Sequence, residues 1–161
     1  MQRRIGSVGI ELLAIVTVGS VLVLMLLANS LTYPVNHDEQ QYVAASVLAQ
    51  YLLPYRDFVY LQTPNFPLVL SALYRVFDVE HYFLTARWAN FGFSLLVVLF
   101  TGLAAYRLAP SRWLALGCAA LVATSTVMTF SFGVARNDIL PCALQIIALY
   151  LFVGAPKIGV P

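Results

Sequence analysis

Charged residues are scarce in this chain of 161 residues. Asp, Glu, Lys and Arg together make up 10% of it, against roughly 25% in an average soluble domain. Hydrophobic residues make up 61%, and the mean hydropathy is +0.84. So few charges cannot cover a water-exposed surface on every side, which excludes an ordinary soluble domain. The composition therefore predicts an integral membrane protein.

Cysteine, histidine and clustered glycine are scarce as well. The two cysteines, Cys118 and Cys142, lie within apolar segments, so we interpret them as small buried hydrophobic residues rather than as a disulfide or a ligand pair. The two histidines, His37 and His81, have no partner at the spacing of metal ligands. The nine glycines are scattered and form no phosphate-binding loop. The sequence thus indicates no metal, nucleotide or nucleic-acid site, although it leaves a divalent cofactor open.

Four apolar runs predict membrane-spanning helices. Each lacks Asp, Glu, Lys and Arg, and each approaches the ~20 residues that a hydrocarbon core of about 30 Å requires. They cover residues 12–31, 88–106, 113–132 and 139–155. A fifth apolar run, at residues 64–77, is interrupted by an arginine after about ten residues, which is the length of an interfacial helix.

The distribution of basic residues predicts the orientation of these spans. With four spans, five basic residues fall on the side where the chain starts, which the positive-inside rule assigns to the cytoplasm. They are Arg3, Arg4, Arg107, Arg112 and Lys157. Both chain ends are then cytoplasmic, and a long loop at residues 32–85 lies outside.

The long outer loop is expected to contain two interfacial helices. In residues 39–52 the apolar residues follow helical spacing, and residues 64–77 form the second segment. The expected apolar face of the first helix consists of Val43, Ala44, Val47, Leu48, Tyr51 and Leu52. We therefore predict an all-α fold: one membrane domain at residues 1–161, a polytopic transmembrane helical bundle of about four spans with two interfacial helices.

Four short motifs follow one another on the predicted outer side. Residues 36–42 read Asn-His-Asp-Glu-Gln-Gln-Tyr, residues 53–67 are rich in proline and aromatic side chains, residues 86–87 read Ala-Arg, and residues 135–141 read Ala-Arg-Asn-Asp-Ile-Leu-Pro. In this order the motifs resemble the N-terminal part of membrane glycosyltransferases of the GT-C fold. The most similar groups are the protein O-mannosyltransferases, the lipid A aminoarabinose transferases and the dolichyl-phosphate-mannose-dependent enzymes.

The resemblance implies an inverting transferase that takes a sugar from a polyprenyl phosphate carrier and passes it to a lipid, glycan or protein acceptor. It implies a multi-pass protein of the bacterial inner membrane, surrounded by membrane lipids, with its active face periplasmic or extracellular. Members of the family have more spans than four, so we expect this chain to be a fragment that lacks a C-terminal half or a partner subunit. The alternative is a non-catalytic four-span subunit or remnant.

Three acidic residues are the candidate catalytic groups that the resemblance implies. Asp38 is expected to accept the proton of an acceptor hydroxyl, with Glu39 orienting the acceptor or a neighbouring arginine, and Asp138 is expected to form a second acidic site. The alternative for each aspartate is a structural one. Asn36 or Asp38 fits a capping box before the first interfacial helix, and Asp138 fits the cap of the fourth span.

Two arginines are the candidate ligands of the donor phosphate. A guanidinium of Arg87 or Arg136 at the outer interface would stabilise the charge on a leaving phosphate through paired hydrogen bonds. The alternative is that each arginine only extends its charge to the lipid headgroups.

Residues of the outer loop are the candidate sugar ligands. Tyr55, Tyr60 and Gln62 offer aromatic faces and polar groups for a sugar, although interfacial aromatic residues are also common without any ligand. Arg56 and Asp57 are predicted to pair with each other or with the loop backbone. The hydroxyl groups at residues 124–129 are predicted to hydrogen-bond one helix to another.

Overall fold

The computed structural model describes residues 2–154, with side chains from residue 9 onwards. This part of the chain is helical and contains no β-strand, which confirms the all-α prediction. Its helices are α1 (Gln2–Thr32), α2 (His37–Leu48), α3 (Asn65–Phe77), α4 (Tyr82–Leu108), α5 (Arg112–Thr124), α6 (Thr126–Gly133) and α7 (Ile139–Gly154). Predictions that concern Lys157 and the side chains of Arg3 and Arg4 lie outside the described residues.

Two helices are long and apolar enough to cross a membrane. They are Gly9–Thr32, within α1, and the 27 residues of α4. Helices α5 and α6 make a third candidate if they count as one span, but they are bent by 67°. Helix α7 has 16 residues, or ~24 Å at 1.5 Å per residue, which is less than the ~30 Å of a hydrocarbon core. The described part of the chain therefore has two to three helices that could span a membrane, which is consistent with a membrane protein.

The break between α5 and α6 lies at Ser125, whose backbone is extended. The hydroxyl groups around it bond to the backbone of their own segment: Thr124 donates to the carbonyl of Ala120 at 2.8 Å, and Thr129 donates to that of Ser125 at 2.9 Å. The prediction that these hydroxyls join two helices is therefore wrong. Such local bonds offer the backbone an alternative to the helical pattern, so they accompany bends.

The two short helices of the outer loop are present, but α2 differs from the prediction. It ends at Leu48, and residues 49–52 form a turn. Four members of its predicted apolar face are exposed, namely Ala44, Leu48, Tyr51 and Leu52, and a fifth, Val43, is buried. The buried face also carries Glu39, Tyr42 and Ser46. The polar groups on the buried face find partners in the interior, and an exposed apolar side is what an interfacial helix turns toward lipid. Helix α3 matches its predicted span closely.

The bundle has two ends that lie far apart along α4. Arg87 is near the start of α4 and Arg107 is in its last turn, about 20 residues or ~30 Å away. At the second end, which we call the Arg107 end, the guanidinium of Arg107 donates to the carbonyl of Tyr150 at 2.7 Å and lies 3.6 Å from its ring centroid. The first end, which we call the motif end, holds α2, α3 and the turn before α7.

Candidate functional site

Among the residues with described side chains, the most buried charges belong to an ion pair at the motif end. Arg87 donates from Nε to Glu39 Oε1 at 2.8 Å and from Nη2 to Glu39 Oε2 at 2.7 Å. The side chain of Glu39 has 0% exposure and that of Arg87 has 9%. We call this pair the ion-pair clamp. Its two parallel hydrogen bonds match the planar guanidinium to the carboxylate, which is the strongest common form of such a pair.

Groups from two other segments, the end of α1 and the turn before α7, complete the clamp. Arg87 Nη1 donates to the carbonyl of Tyr33 at 2.9 Å and to that of Ser30 at 3.3 Å. The hydroxyl of Ser30 returns a hydrogen bond to the carbonyl of Arg87 at 3.1 Å. The amide of Ala135 donates to Glu39 Oε1 at 3.1 Å. The clamp therefore ties the end of α1, the start of α2, the start of α4 and the turn before α7 together.

The hydrogen-bonding groups of both Arg87 and Glu39 are largely used within the protein. Arg87 makes four hydrogen bonds, and a guanidinium has five N–H donors. A donor phosphate would therefore find a single free N–H, on a buried side chain. Glu39 was predicted to orient either an acceptor molecule or a neighbouring arginine, and in the structure its carboxylate binds Arg87.

A second group of charges at the motif end is open to solvent. Arg136 lies 3.5 Å from the carboxylate of Asp38 through Nη1 and 3.1 Å from that of Asp138 through Nε. The carboxylates are 42% and 53% exposed. The guanidinium also lies 4.9 Å from the ring centroid of Phe130. We call Asp38, Arg136 and Asp138 the acid–arginine cluster.

The charges of this cluster affect the pKa of the buried phenol of Tyr42. Burial raises the pKa of Tyr42, the negative charges of Asp38 and Asp138 raise it further, and Arg136 opposes them. The cluster carries two carboxylates and one guanidinium, so its formal charge is negative. Its carboxylates accept hydrogen bonds from hydroxyl groups, and its guanidinium donates hydrogen bonds to anionic oxygens.

The capping alternatives are resolved for α2. The side chain of Asn36 accepts a hydrogen bond from the amide of Asp38 at 2.8 Å, so Asn36 is the cap, as one of the two capping alternatives predicted. Asp38 lies in the first turn, and the prediction that it caps the helix is wrong. At the start of α7, the carbonyl of Asp138 accepts from the amide of Cys142 at 3.2 Å, while its carboxylate lies against Arg136.

The three candidate sugar ligands have different surroundings. Tyr60 is buried, and its hydroxyl accepts a hydrogen bond from Asn137 Nδ2 at 3.1 Å. Burial raises the pKa of Tyr60 to about 12. Tyr55 and Gln62 are exposed, and the hydroxyl of Tyr55 donates to the carbonyl of Gln62. The structure thus brings Tyr60 to the turn that holds Arg136 and leaves the other two on the outside of the loop.

Sequence reasoning missed Asn137, which links the loop to that turn. Besides Tyr60 it donates to the carbonyl of Thr63 at 3.1 Å. In the sequence, Asn137 stands between Arg136 and Asp138 in the motif at residues 135–141. This position between two candidate site residues was the signal that could have identified it. The predicted pairing of Arg56 with Asp57 is confirmed, with both contacts at 2.8 Å, and the amide of Leu53 also donates to Asp57.

No group of three or more His, Cys, Asp and Glu side chains suited to a metal ion occurs among residues whose placement is described. Comparisons of the chain with protein-family models, with curated proteins and with solved structures find no match.

Proposed function

We propose that this protein is a membrane glycosyltransferase that transfers a sugar from a polyprenyl-phosphate-linked donor to an acceptor hydroxyl at the motif end. The observation that supports this most directly is the acid–arginine cluster. Asp38 and Asp138 come from motifs far apart in the sequence, yet both carboxylates contact Arg136 and both remain partly exposed. Exposed carboxylates beside a guanidinium suit a transfer in which one group takes a proton while a phosphate departs.

In the proposed reaction Asp38 accepts the proton of the acceptor hydroxyl as its oxygen attacks the anomeric carbon. The bond from that carbon to the phosphate oxygen breaks, and the phosphate leaves with the electron pair. The anomeric configuration inverts because attack and departure occur on opposite faces. Arg136 stabilises the charge that develops on the phosphate oxygen, for which it must turn away from one of its two carboxylates.

The ion-pair clamp has a positioning role in this proposal. It fixes the start of α2, which carries Asp38, against the turn that carries Arg136 and Asp138, since Glu39 binds both Arg87 and the amide of Ala135. A displacement of about 1 Å between reacting groups lowers the rate strongly. Arg87 therefore supports the site through Glu39 rather than by binding the donor phosphate.

The proposed topology has four crossings, with α7 and the bent pair of α5 and α6 as the shorter ones. Both chain ends then lie in the cytoplasm, and the motif end faces the periplasm of a bacterial inner membrane. In a variant without Cys118 and Cys142, new cysteines at the exposed positions 57, 80 and 138 should react with an impermeant reagent from outside. Cysteines at positions 4, 110 and 157 should not, and opposite labelling of 57 and 80 would contradict four crossings.

The activity is tested by transfer from a radiolabelled polyprenyl-phosphate sugar in membranes that contain the chain. Asp38→Asn, which cannot take a proton at neutral pH, should lower turnover by about a hundredfold or more. The control is Asp57→Asn, which removes a carboxylate of the same outer loop that pairs with Arg56. Near-normal transfer by Asp38→Asn would exclude Asp38 as the base. If the unmodified chain shows no transfer even when it is complemented by a C-terminal half or partner subunit, the non-catalytic alternative is favoured.

A further inference from the structure

A large apolar groove runs between α1, α4 and α5, away from the motif end. Its volume is about 780 Å³. Its walls are almost entirely aliphatic and include Leu12, Gly19, Leu26, Val98, Leu103 and Ala119. We call it the intramembrane groove, because α1 and α4, which form two of its walls, are the two helices that are long and apolar enough to cross a membrane.

The groove is long enough to hold a lipid chain. Its lining residues on α1 extend from Leu12 to Leu26, about 14 residues or roughly 21 Å along the helix axis. One leaflet of the hydrocarbon core is about 15 Å deep. A groove of this length and apolar character cannot hold water favourably, so hydrocarbon fills it in a bilayer.

Two glycines shape the groove. At Gly19 an added Cβ would meet no atom within 4 Å, so the absent side chain leaves open space. At Gly102 an added Cβ would lie 3.3 Å from the carbonyl oxygen of Ala115, so this glycine allows α5 to approach α4 closely. The space at Gly19 is therefore part of the groove, whereas Gly102 holds one of its walls in place.

Charges of both signs lie at the Arg107 end of the groove. Arg112 and Tyr106 line it there, and Arg112 begins α5. Leu12 and Ile15 line the groove. Glu11 immediately precedes Leu12 and lies one helical turn before Ile15 on α1. Residues four apart share a helix face, so Glu11 belongs to the same end. No ion pair involves Glu11 or Arg112 among the residues with described side chains.

We propose that the intramembrane groove binds a phospholipid with a primary ammonium headgroup, such as phosphatidylethanolamine. One acyl chain lies in the groove, the phosphate contacts Arg112, and the ammonium contacts Glu11. A guanidinium is well suited to a phosphate, and an ammonium has three N–H donors for a carboxylate. This site lies at the opposite end from the acid–arginine cluster and depends on membrane insertion, not on sugar transfer.

A helix of a second copy of the chain fits the groove less well. Its side chains would have to complement an aliphatic groove whose lining on α1 runs from Leu12 to Leu26. It would also have to place groups of both signs beside Glu11 and Arg112. A single lipid chain with a zwitterionic headgroup meets both requirements.

Native mass spectrometry of the full chain from micelles tests the proposal. Phosphatidylethanolamine, phosphatidylcholine and phosphatidylglycerol are added at equal mole fractions, and the lipids that stay bound are counted. We expect one retained phosphatidylethanolamine, preferred about tenfold over the other two, since a lost charge-assisted hydrogen bond changes affinity by about that factor. Equal retention of all three lipids would overturn the proposal.

Matched variants separate the acyl chain from the headgroup. Gly19→Leu should fill the groove and abolish retention, whereas Gly117→Leu adds the same side chain at an exposed glycine outside the groove and should not. Arg112→Gln should lower retention of phosphatidylethanolamine about tenfold, and its control is Arg75→Gln, an exposed arginine at the motif end. Glu11→Gln should remove the preference over phosphatidylglycerol while leaving a lipid bound.

Three further outcomes would overturn the proposal. The first is unchanged retention in Gly19→Leu. The second is retention of a second copy of the chain instead of lipid. The third is displacement of phosphatidylethanolamine by a polyprenyl phosphate, which would assign the groove to the sugar carrier. If Gly19→Leu does not fold, the change of preference in Glu11→Gln decides the matter, because that variant leaves the packing of the bundle in place.

Discussion

Asp38 and Glu39 are adjacent acidic residues with opposite surroundings. The carboxylate of Asp38 is 42% exposed and lies 3.5 Å from Arg136, whereas that of Glu39 is fully buried and accepts two hydrogen bonds from Arg87. Consecutive residues of a helix point about 100° apart, so one side chain enters the interior while the next stays at the surface. The ion-pair clamp therefore has a structural role, and the acid–arginine cluster is the part that is open to a substrate.

The two arginines show the same contrast. Arg87 is held by a carboxylate and two backbone carbonyls. Arg136 lies between two carboxylates, and its Nε, although buried, has no hydrogen-bond partner with good geometry among the described residues. An arginine with fixed partners stabilises a fold, whereas one with looser contacts can exchange them for those of a ligand.

The largest expected effect comes from breaking the clamp. Arg87→Met should lower the free energy of unfolding by about 3–5 kcal/mol, because it leaves the carboxylate of Glu39 buried without a partner. Adding Glu39→Leu should restore much of that loss, since two apolar side chains leave no buried charge. The measurement is a denaturant titration of the purified protein in micelles.

A double variant as unstable as Arg87→Met alone would contradict this explanation. The control is Arg56→Gln, which breaks the exposed pair with Asp57. We expect little measurable change there, because exposed pairs contribute little.

A smaller effect is expected at Gly133, two residues before the amide that binds Glu39. A Cβ at Gly133 would lie 2.7 Å from the ring of Tyr33, so Gly133→Ala should lower the free energy of unfolding by about 1–3 kcal/mol through overpacking. Gly92→Ala is the matched control, because a Cβ there meets nothing within 4 Å. Similar values for the two variants would show that the motif end is loosely packed.

High pH should destabilise the protein through Tyr60. The unfolded chain loses the phenol proton near pH 10 and the folded protein near pH 12. Between these values the folded state holds more protons, so its stability is fully present below pH 10 and falls as the pH rises through 12. Tyr60→Phe should reduce this loss, as measured by unfolding at several pH values. A tyrosinate absorbance signal at pH 10 from Tyr60 would contradict its burial.

The smallest effect on stability is expected for the acid–arginine cluster. Arg136→Gln should change the free energy of unfolding by less than about 1 kcal/mol, since its partners are about half exposed and water replaces the lost contacts. The same denaturant titration measures it. A loss as large as that of Arg87→Met would show that the cluster is structural and would remove the contrast between the two arginines.

The sequence predicted the helices better than the positions of their side chains. Helices α1, α3 and α4 follow from apolar runs and proline positions. Helix α3 ends at Phe77, and its C-cap is Asp78, whose φ of 46° is left-handed. The break at Ser125 was missed because hydropathy does not register it. Its signal was the succession of hydroxyl residues, which compete for backbone hydrogen bonds.

The sequence predicted which charged residues form the site, but not which acidic residue pairs with which arginine. The motifs contain Asp38, Glu39, Arg87, Arg136 and Asp138, and all five lie at the motif end. Which acid meets which arginine depends on the rotation of α2 about its axis, and the hydrophobic spacing did not show which polar side chains of α2 lie on its buried face. A buried charge turns a helix toward its partner when that partner supplies paired hydrogen bonds, and a periodicity of apolar residues does not show this.

The most direct test compares the two adjacent carboxylates in one experiment. Asp38→Asn and Glu39→Gln each replace a carboxylate by its amide, and the free energy of unfolding of both variants is measured in the same micelles. We predict a loss of about 3–5 kcal/mol for Glu39→Gln, which leaves Arg87 buried without its counter-charge. For Asp38→Asn we predict less than about 1 kcal/mol. Asn36 caps the helix, and the two interactions that are weakened, the partly exposed contact with Arg136 and the interaction with the helix dipole, each contribute little. Equal losses in the two variants, or the larger loss in Asp38→Asn, would contradict the assignment of structural and substrate-facing roles to these neighbours.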